Sequence, residues 1–416
     1  MRILYLHPEA WIGEYAMLEE LCARDYDVCA LEEKRNLEQG ARHSTPFYRS
    51  PGDRISTLWY DPRRGAERLL TWIPDRVFRR AFDGRNLVHR MWVIRAAVRR
   101  FKPDAVVCSD GFTYAIPAAF LKRLGLLRAR LVVNYIGGDI MDCSKYGYGK
   151  RRTPMVSWLI RNSLRGIDAM RPLCASLERI LIREGADTSR IRVLPIQLAS
   201  PIDLVNDVHA RRAQCGEAIR SRYGIPLNAP LLVTLSGNHK SKGIQDLATA
   251  WADICAAVPE CQWLLCGPED PWLSQGVRPV LRASGVSERV HFTGPLQGRA
   301  VCEHLAAADL HVNPTLCEGL NMATVEAAAV GTPSVTSDGA GIADWVKSFE
   351  AGLVVPAGDV FALRDAVVRA LRASQLRTEW PARSREMASH FSPARIASDF
   401  VKLLQTGNRT GSESNS

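Results

Sequence analysis

The sequence predicts an α/β protein of two domains, a first of α/β layers and a second built as a doubly wound parallel sheet. Three observations point there. The chain has 416 residues, 46% of them hydrophobic, enough for two cores. Between residues 230 and 378, six short apolar runs alternate with stretches of helical periodicity. Residues 310–345 then read as strand, loop, helix and strand in direct succession, the βαβ unit of a parallel sheet.

In chain order, residues 2–7 form a buried strand, and 11–24 carry Ile12, Met17, Leu18 and Leu21 on one helical face. Asp27–Leu31 reads as the second strand. Residues 36–60 are polar and punctuated by Pro and Gly, so a long loop is expected. Basic helices follow to about Phe101. Strands Ala105–Cys108 and Leu131–Tyr135 flank a helix over 113–124; Ile167–Pro172, a helix over 175–185 and Ile191–Pro195 complete a first domain, 1–200. Residues 201–229, with Pro201 and Pro226 around a mixed polar helix, are expected to hold the hinge.

In the second domain, 230–378, strands are expected at Leu231–Leu235, Trp263–Cys266, Val290–Thr293, Leu310–Val312, Ser334–Thr336 and Leu353–Val355. Helices are expected near 243–257, 271–284, 299–307, 321–330 and 359–373. Residues 379–405 read as closing helices, and the polar 406–416 as a disordered tail.

Charge is unevenly placed. Residues 1–200 hold 34 Lys and Arg against 22 Asp and Glu, whereas 201–416 hold 20 against 22. Eleven Arg fall within 61–100, interleaved with Trp72, Phe78 and Trp92. Such asymmetry fits a solvated Arg-rich helical face or contact with an anionic membrane surface. Nucleic acid is not expected, because no reader motif is present.

No apolar run reaches the roughly 18–20 residues that span a bilayer. The N-terminus has four consecutive apolar residues before His7, so it reads as a strand and not a signal peptide. The eleven cysteines are scattered, with no CxxC pair, which predicts reduced thiols, no metal site and a cytoplasmic protein, peripheral on the inner face of the membrane if the basic region binds lipid.

The chemistry concentrates at the carboxyl ends of the second domain's strands, where parallel sheets bind ligands. Glu318 lies in the loop after Leu310–Val312, and Glu326 eight residues on, about two turns into a small-residue helix. The loop Gly319-Leu320-Asn321 opens that helix and offers backbone N–H groups and a positive dipole end. After the first strand of the domain, Gly237, Lys240 and Lys242-Gly243 lead into another helix.

The Glu-x7-Glu spacing within EGLNMATVEAAAVGTPSV resembles the donor-site signature of glycosyltransferase family 4, which has the GT-B fold. The resemblance implies two Rossmann-like domains facing a central cleft and a nucleotide diphosphate sugar as co-substrate, with no further cofactor and no metal. It implies Glu318 on the donor sugar and Glu326 on the ribose hydroxyls, since a carboxylate accepts two hydrogen bonds from a vicinal diol. Lys242 matches the lysine of the family's Arg-(x)4-Lys-Gly diphosphate clamp; the arginine position falls on Gly237, and Lys240 is the nearby substitute. Gly294–Gln297, through Leu296, matches the nucleobase segment, and Gly13 the glycine loop of the first domain. Ile136-Gly137-Gly138-Asp139 resembles the segment facing the reacting sugar, usually His-Gly-x-Asp. Ile136 takes the histidine position, which leaves Asp139 as the polar catalytic candidate beside Glu318.

The implied function is transfer of a sugar, with retention, to a glycan or lipid-linked acceptor in envelope polysaccharide or glycoconjugate synthesis. The alternatives are a nucleotide-sugar epimerase or hydrolase on the same fold, and a catalytically idle GT-B subunit that binds donor or membrane and supports a partner. The departures at Ile136 and Gly237, and the single Gly13, are what favour the idle subunit.

Overall fold

The computed structural model describes residues 1–7, 14–33, 55–60, 87–151, 153–237 and 239–405. In chain order the elements are β1 (Arg2–His7), α1 (Tyr15–Ala23), β2 (Asp27–Glu33), β3 (Ser56–Tyr60), α2 (Leu87–Phe101), β4 (Ala105–Cys108), α3 (Ala115–Arg123), β5 (Arg130–Tyr135), α4 (Pro154–Leu164), β6 (Ala169–Pro172) and α5 (Ala175–Arg183). Then follow α6 (Ile202–Ala210), α7 (Arg212–Arg222), β7 (Leu231–Leu235), α8 (Ile244–Ala257), β8 (Gln262–Cys266), α9 (Arg278–Ala283), β9 (Val290–Gly294) and α10 (Arg299–Ala307). The last are β10 (Leu310–Asn313), α11 (Met322–Ala329), β11 (Ser334–Ser337), α12 (Ala343–Ser348), β12 (Gly352–Val355), α13 (Val360–Arg372), α14 (Ser374–Ser389) and α15 (Pro393–Gln405).

The chain divides into two compact units, Met1–Asp142 with Gly149–Gln197 and Pro393–Ser416, and Cys143–Tyr148 with Leu198–Ser392. The first holds a six-stranded sheet in the order β3-β2-β1-β4-β5-β6, and the second one in the order β12-β11-β10-β7-β8-β9. Every strand pair is parallel. Each is therefore a Rossmann-like doubly wound sheet, with its topological switch between β1 and β4 in one unit and between β7 and β10 in the other.

Burial on both faces explains the short, nearly unbroken apolar strands: β4 is buried throughout, as is β10. In the second unit Trp251 of α8 and Trp263 of β8 are fully buried with ring centroids 5.4 Å apart. The Trp263 indole donates to Thr234 Oγ1 at 3.0 Å, so that large ring leaves no unpaired donor in the core.

Several elements depart from expectation. The stretch read as loop over 36–60 ends in β3, which pairs with β2 from Cys29↔Ser56 to Glu33↔Tyr60; five residues are too few to show a period. Ile191–Pro195 forms only an isolated bridge, Met170↔Ile191. Helix α4 forms where no helix is expected, although Thr153-Pro154 is a start signal: Thr153 Oγ1 accepts from Val156 N at 3.3 Å, and Val156, Leu159, Ile160 and Leu164 are buried at helical spacing. Short α12, six residues long, is likewise a helix where none is expected.

The segment expected to hold the hinge, 201–229, carries two helices, α6 and α7, which belong to the second unit. Arg212 of α7 donates to the carbonyls of Val330 (3.1 Å) and Ala308 (2.6 Å) and to Thr332 Oγ1 (2.9 Å), satisfying groups at the C-terminal ends of both α10 and α11. Of the closing helices, α14 stays with the second unit and α15 alone returns to the first. There Ile396, Ala397, Phe400, Leu403 and Leu404 are buried, and α15 packs on α1.

The expectation of eleven reduced thiols fails at one pair. Cys143 and Cys317 form a disulfide across 174 residues, with Cα atoms 6.6 Å apart. Sequence spacing carries no trace of so distant a pairing.

Candidate functional site

The second unit assembles its site at the switch between β7 and β10, where the connections leave in opposite directions and the strand ends part. The loop after β7 is stitched to the loop after β10. The Ser241 carbonyl accepts from Thr315 Oγ1 at 2.9 Å and Leu316 N at 2.7 Å. Gly243 sits at φ +64, where a Cβ would lie 1.9 Å from the Pro314 carbonyl oxygen, so only glycine lets the two loops come this close.

That approach brings Lys242 to Glu318. The ammonium pairs with Glu318 Oε1, both side chains about one-fifth exposed. Asn321 Nδ2 donates to the other oxygen, Oε2, at 2.7 Å. Asn321 also caps α11, its Oδ1 accepting from Thr324 N at 2.9 Å and Thr324 Oγ1 at 2.8 Å, with a backbone φ of 80 that few residues other than Gly, Asn and Asp adopt. From behind, Glu318 N donates to the Gly339 carbonyl at 2.9 Å and Ile342 N to the Leu320 carbonyl at 2.9 Å. Gly319 and Leu320 are buried in this loop.

Glu326 lies in the second turn of α11 and is partly accessible. Ser200 Oγ donates to its Oε1 at 3.1 Å. Burial pushes the carboxyl up to about 7, against the pull of the Ser200 hydrogen bond. Ser200 is the residue sequence reasoning missed; a serine before a proline carries no signal of this partnership.

The other expected site residues are spread more widely. Lys240 and Gly237 are exposed in the β7 loop, and a Cβ on Gly237 would meet nothing within 4 Å. Leu296 is partly exposed beyond β9, the strand at the sheet edge. Gly13 lies outside the described residues.

Asp139 belongs to the first unit, and its carboxylate is spent on backbone. Oδ1 accepts from Gly137 N at 2.8 Å and Oδ2 from Gly111 N at 2.6 Å, with Ile136 N shared between the two oxygens. Burial, then the charge of Asp110, pushes its carboxyl up to about 6. Side chain and turn together join the loops after β4 and β5. Arg90, in the basic stretch expected to lie on a solvated face or against an anionic membrane surface, is instead buried, donating to the Thr113 carbonyl at 3.0 Å over the ring of Tyr114. Residues 61–86 of that stretch lie outside the described residues. Among the described residues no helix is long and apolar enough to cross a membrane.

Residues 15–197 match the family model described as Glycosyl transferase 4-like domain, and residues 229–373 the model described as Glycosyl transferases group 1. The phosphatidyl-myo-inositol mannosyltransferase of Mycobacterium leprae is 30% identical over 173 residues, 41% of this chain and 45% of that one. The 2-deoxystreptamine N-acetyl-D-glucosaminyltransferase of Streptomyces fradiae is 30% identical over 210 residues, 47% of this chain and 49% of that one. The chain thus spans about half the length of these curated relatives. Among solved structures, Anabaena HepE in complex with UDP and glucose superposes with a TM-score of 0.71 at 16% identity, over 97% of this chain and 99% of that one. Sucrose-phosphate synthase of Thermosynechococcus elongatus superposes with a TM-score of 0.73 at 20% identity, over 97% and 98%. At these identities the structural likeness shows the fold.

Proposed function

We propose that this chain, which belongs to glycosyltransferase family 4 and has the GT-B fold, transfers a sugar from a nucleoside diphosphate donor held by its second unit. The observation that carries the reading is the Lys242–Glu318 pair at the β7/β10 switch, with Glu326 in the second turn of α11. In this reading Lys242 and the free N–H groups that open α8 and α11 neutralise the diphosphate, Glu318 accepts from sugar hydroxyls, and Glu326 accepts from the ribose diol. The acceptor oxygen bonds to the anomeric carbon as that carbon's bond to the diphosphate oxygen breaks. The electron pair leaves with the diphosphate, which takes the acceptor proton on the same face, so configuration is retained. Stabilising the leaving diphosphate is then the main electrostatic task, and the clamp is built for it. Asp139 holds the Ile136–Gly138 turn through backbone N–H groups and serves the first unit by shaping it. The basic first half, with its 34 Lys and Arg, supports a lipid-linked or anionic glycan acceptor.

The test is a thermal-shift series with UDP, GDP and ADP on the wild type, Glu326→Ala and Lys242→Ala. A nucleotide at about 100 times its Kd adds roughly 2.7 kcal/mol, a rise of a few degrees. One nucleotide is expected to stabilise the wild type and to fail in both variants; no shift with any of them would sink the proposal. Binding should also weaken as pH falls below about 7, because the diol needs the carboxylate and protonated Glu326 must first lose its proton. The limiting slope is about tenfold per pH unit.

Gly237→Arg supplies a second cation where a side chain meets open space. We expect the same nucleotide to bind roughly three- to tenfold tighter, in line with one added charge-assisted hydrogen bond to phosphate, and folding to be unchanged. Unchanged affinity in isothermal titration would place the diphosphate away from this loop.

A further inference from the structure

We infer that Ser200 is a positioning residue for Glu326, setting the carboxylate that receives the ribose and so the preference for ribonucleotides over their 2′-deoxy forms. The inference rests on the donor-site reading above and adds a residue that lies 126 positions from the glutamate.

The local structure makes Ser200 a fixed donor. It is buried, two residues after Leu198, whose N–H donates to the Phe391 carbonyl at 2.7 Å, and one residue before Pro201, the cap of α6. The backbone therefore holds Ser200 on both sides, and proline restricts the serine itself to extended conformations. Its hydroxyl donates to Glu326 Oε1 at 3.1 Å. Behind it, Cys302 Sγ of α10 lies 3.5 Å from Ser200 Oγ. Burial pushes the Cys302 thiol up to about 11, so at neutral pH it keeps its proton and can donate to the serine. The protons then run one way, thiol to hydroxyl to carboxylate.

This relay has a geometric consequence. With Oε1 held from the protein side, the carboxylate plane is set, and among the described residues Oε2 has no hydrogen-bond partner. A carboxylate on a flexible side chain must be ordered when it meets a diol; one already fixed loses less entropy on binding. The benefit falls on ligands that present both hydroxyls. A purely structural serine would lower affinity for both nucleotide forms alike.

The experiment measures Kd by isothermal titration for UDP, GDP and ADP, each beside its 2′-deoxy form, on wild type, Ser200→Ala, Ser200→Thr, Glu326→Ala and the Ser200→Ala/Glu326→Ala pair. For the nucleotide that binds, the wild type is expected to favour the ribose form by roughly tenfold, one hydrogen bond to a charged group. Ser200→Ala should shrink that preference to about two- to threefold while the 2′-deoxy form keeps its affinity, and Ser200→Thr should restore it. In the Glu326→Ala background, Ser200→Ala should change the preference no further, because the two residues act as one unit. An unaltered preference in Ser200→Ala, or equal weakening of both forms, overturns the inference while Glu326-dependent binding leaves the donor-site reading standing. Absence of nucleotide binding by the wild type overturns both.

Discussion

Arg171→Ala is expected to destabilise the protein by about 3–5 kcal/mol, the largest stability effect of any substitution considered. Arg171 of β6 and Glu14 at the start of α1 are both fully buried and pair at 2.9 Å. The guanidinium also donates through Nε to the Leu194 carbonyl at 3.0 Å and through Nη2 to the Pro195 carbonyl at 2.5 Å, and it lies 5.1 Å from the ring of Phe400 on α15. The glutamate's remaining oxygen accepts from Asn134 at 3.0 Å and from the Tyr5 hydroxyl. Alanine strands one carboxylate and two carbonyls in a site that water does not reach, and each unpaired group carries its full desolvation cost. Burial already raises the Glu14 carboxyl above its ordinary range, with Arg171 opposing the rise. Losing Arg171 lifts it further, so the folded variant binds a proton that its unfolded chain releases. Its stability then falls as pH rises from the ordinary carboxylate range, and the deficit is larger at pH 8 than at pH 5. Urea unfolding at both pH values checks this, and a loss under about 1 kcal/mol would show that the pair is dispensable. Glu14→Gln with Arg171→Met should recover part of the loss, because it removes both charges together.

The parallel sheets were legible because their strands are buried on both faces, so Leu231–Leu235 or Ala105–Cys108 reads as a short apolar run between turn residues. Where a segment is decided by one tertiary contact, local pattern is silent. The α6–α7 stretch is polar and proline-flanked like a linker, yet Arg212 fixes it to carbonyls about a hundred residues away. Arg171 has the same character. An arginine in a four-residue run, Ala-Met-Arg-Pro, shows no period, and its glutamate lies 157 residues earlier. Composition groups Arg90 with its charged neighbours on an exposed face; its carbonyl partner at Thr113 and the Tyr114 ring take it inside.

At the site the division is similar. Glu318, Asn321 and Glu326 stand in one contiguous motif, and Lys242 opens a helix on the neighbouring strand, so fold topology alone brings them to one crevice. Roles within that crevice needed coordinates. Asn321 was expected among the ligand-binding N–H groups; its side chain turns back to hold Glu318. Separately, in the first unit, Asp139 was expected as a polar group for chemistry, and its oxygens accept from the backbone N–H groups of Gly111, Ile136 and Gly137.

The Lys242–Glu318 pair leads to a prediction in which two neighbouring substitutions part ways. Glu318→Ala should slow sugar transfer by about a hundredfold or more, the size of effect seen when a single preorganised polar partner of a reacting group is removed. Binding of the nucleoside diphosphate without its sugar should survive or tighten by up to about fivefold, since a partly exposed ion pair is worth roughly 1 kcal/mol or less. The reason is competition. In the structure Lys242 is engaged by Glu318 Oε1, and it must leave that oxygen to meet the diphosphate. Removing the carboxylate frees the lysine while stripping the sugar of its acceptor. Lys242→Ala does the reverse, leaving Glu318 held by Asn321 and taking the cation from the leaving group, so nucleotide affinity and turnover fall together. Titration of the nucleotide alongside a donor-turnover assay separates the two. If Glu318→Ala weakens the nucleotide as much as Lys242→Ala does, the carboxylate acts by holding the 318–321 loop in shape, and its place on the donor sugar is wrong.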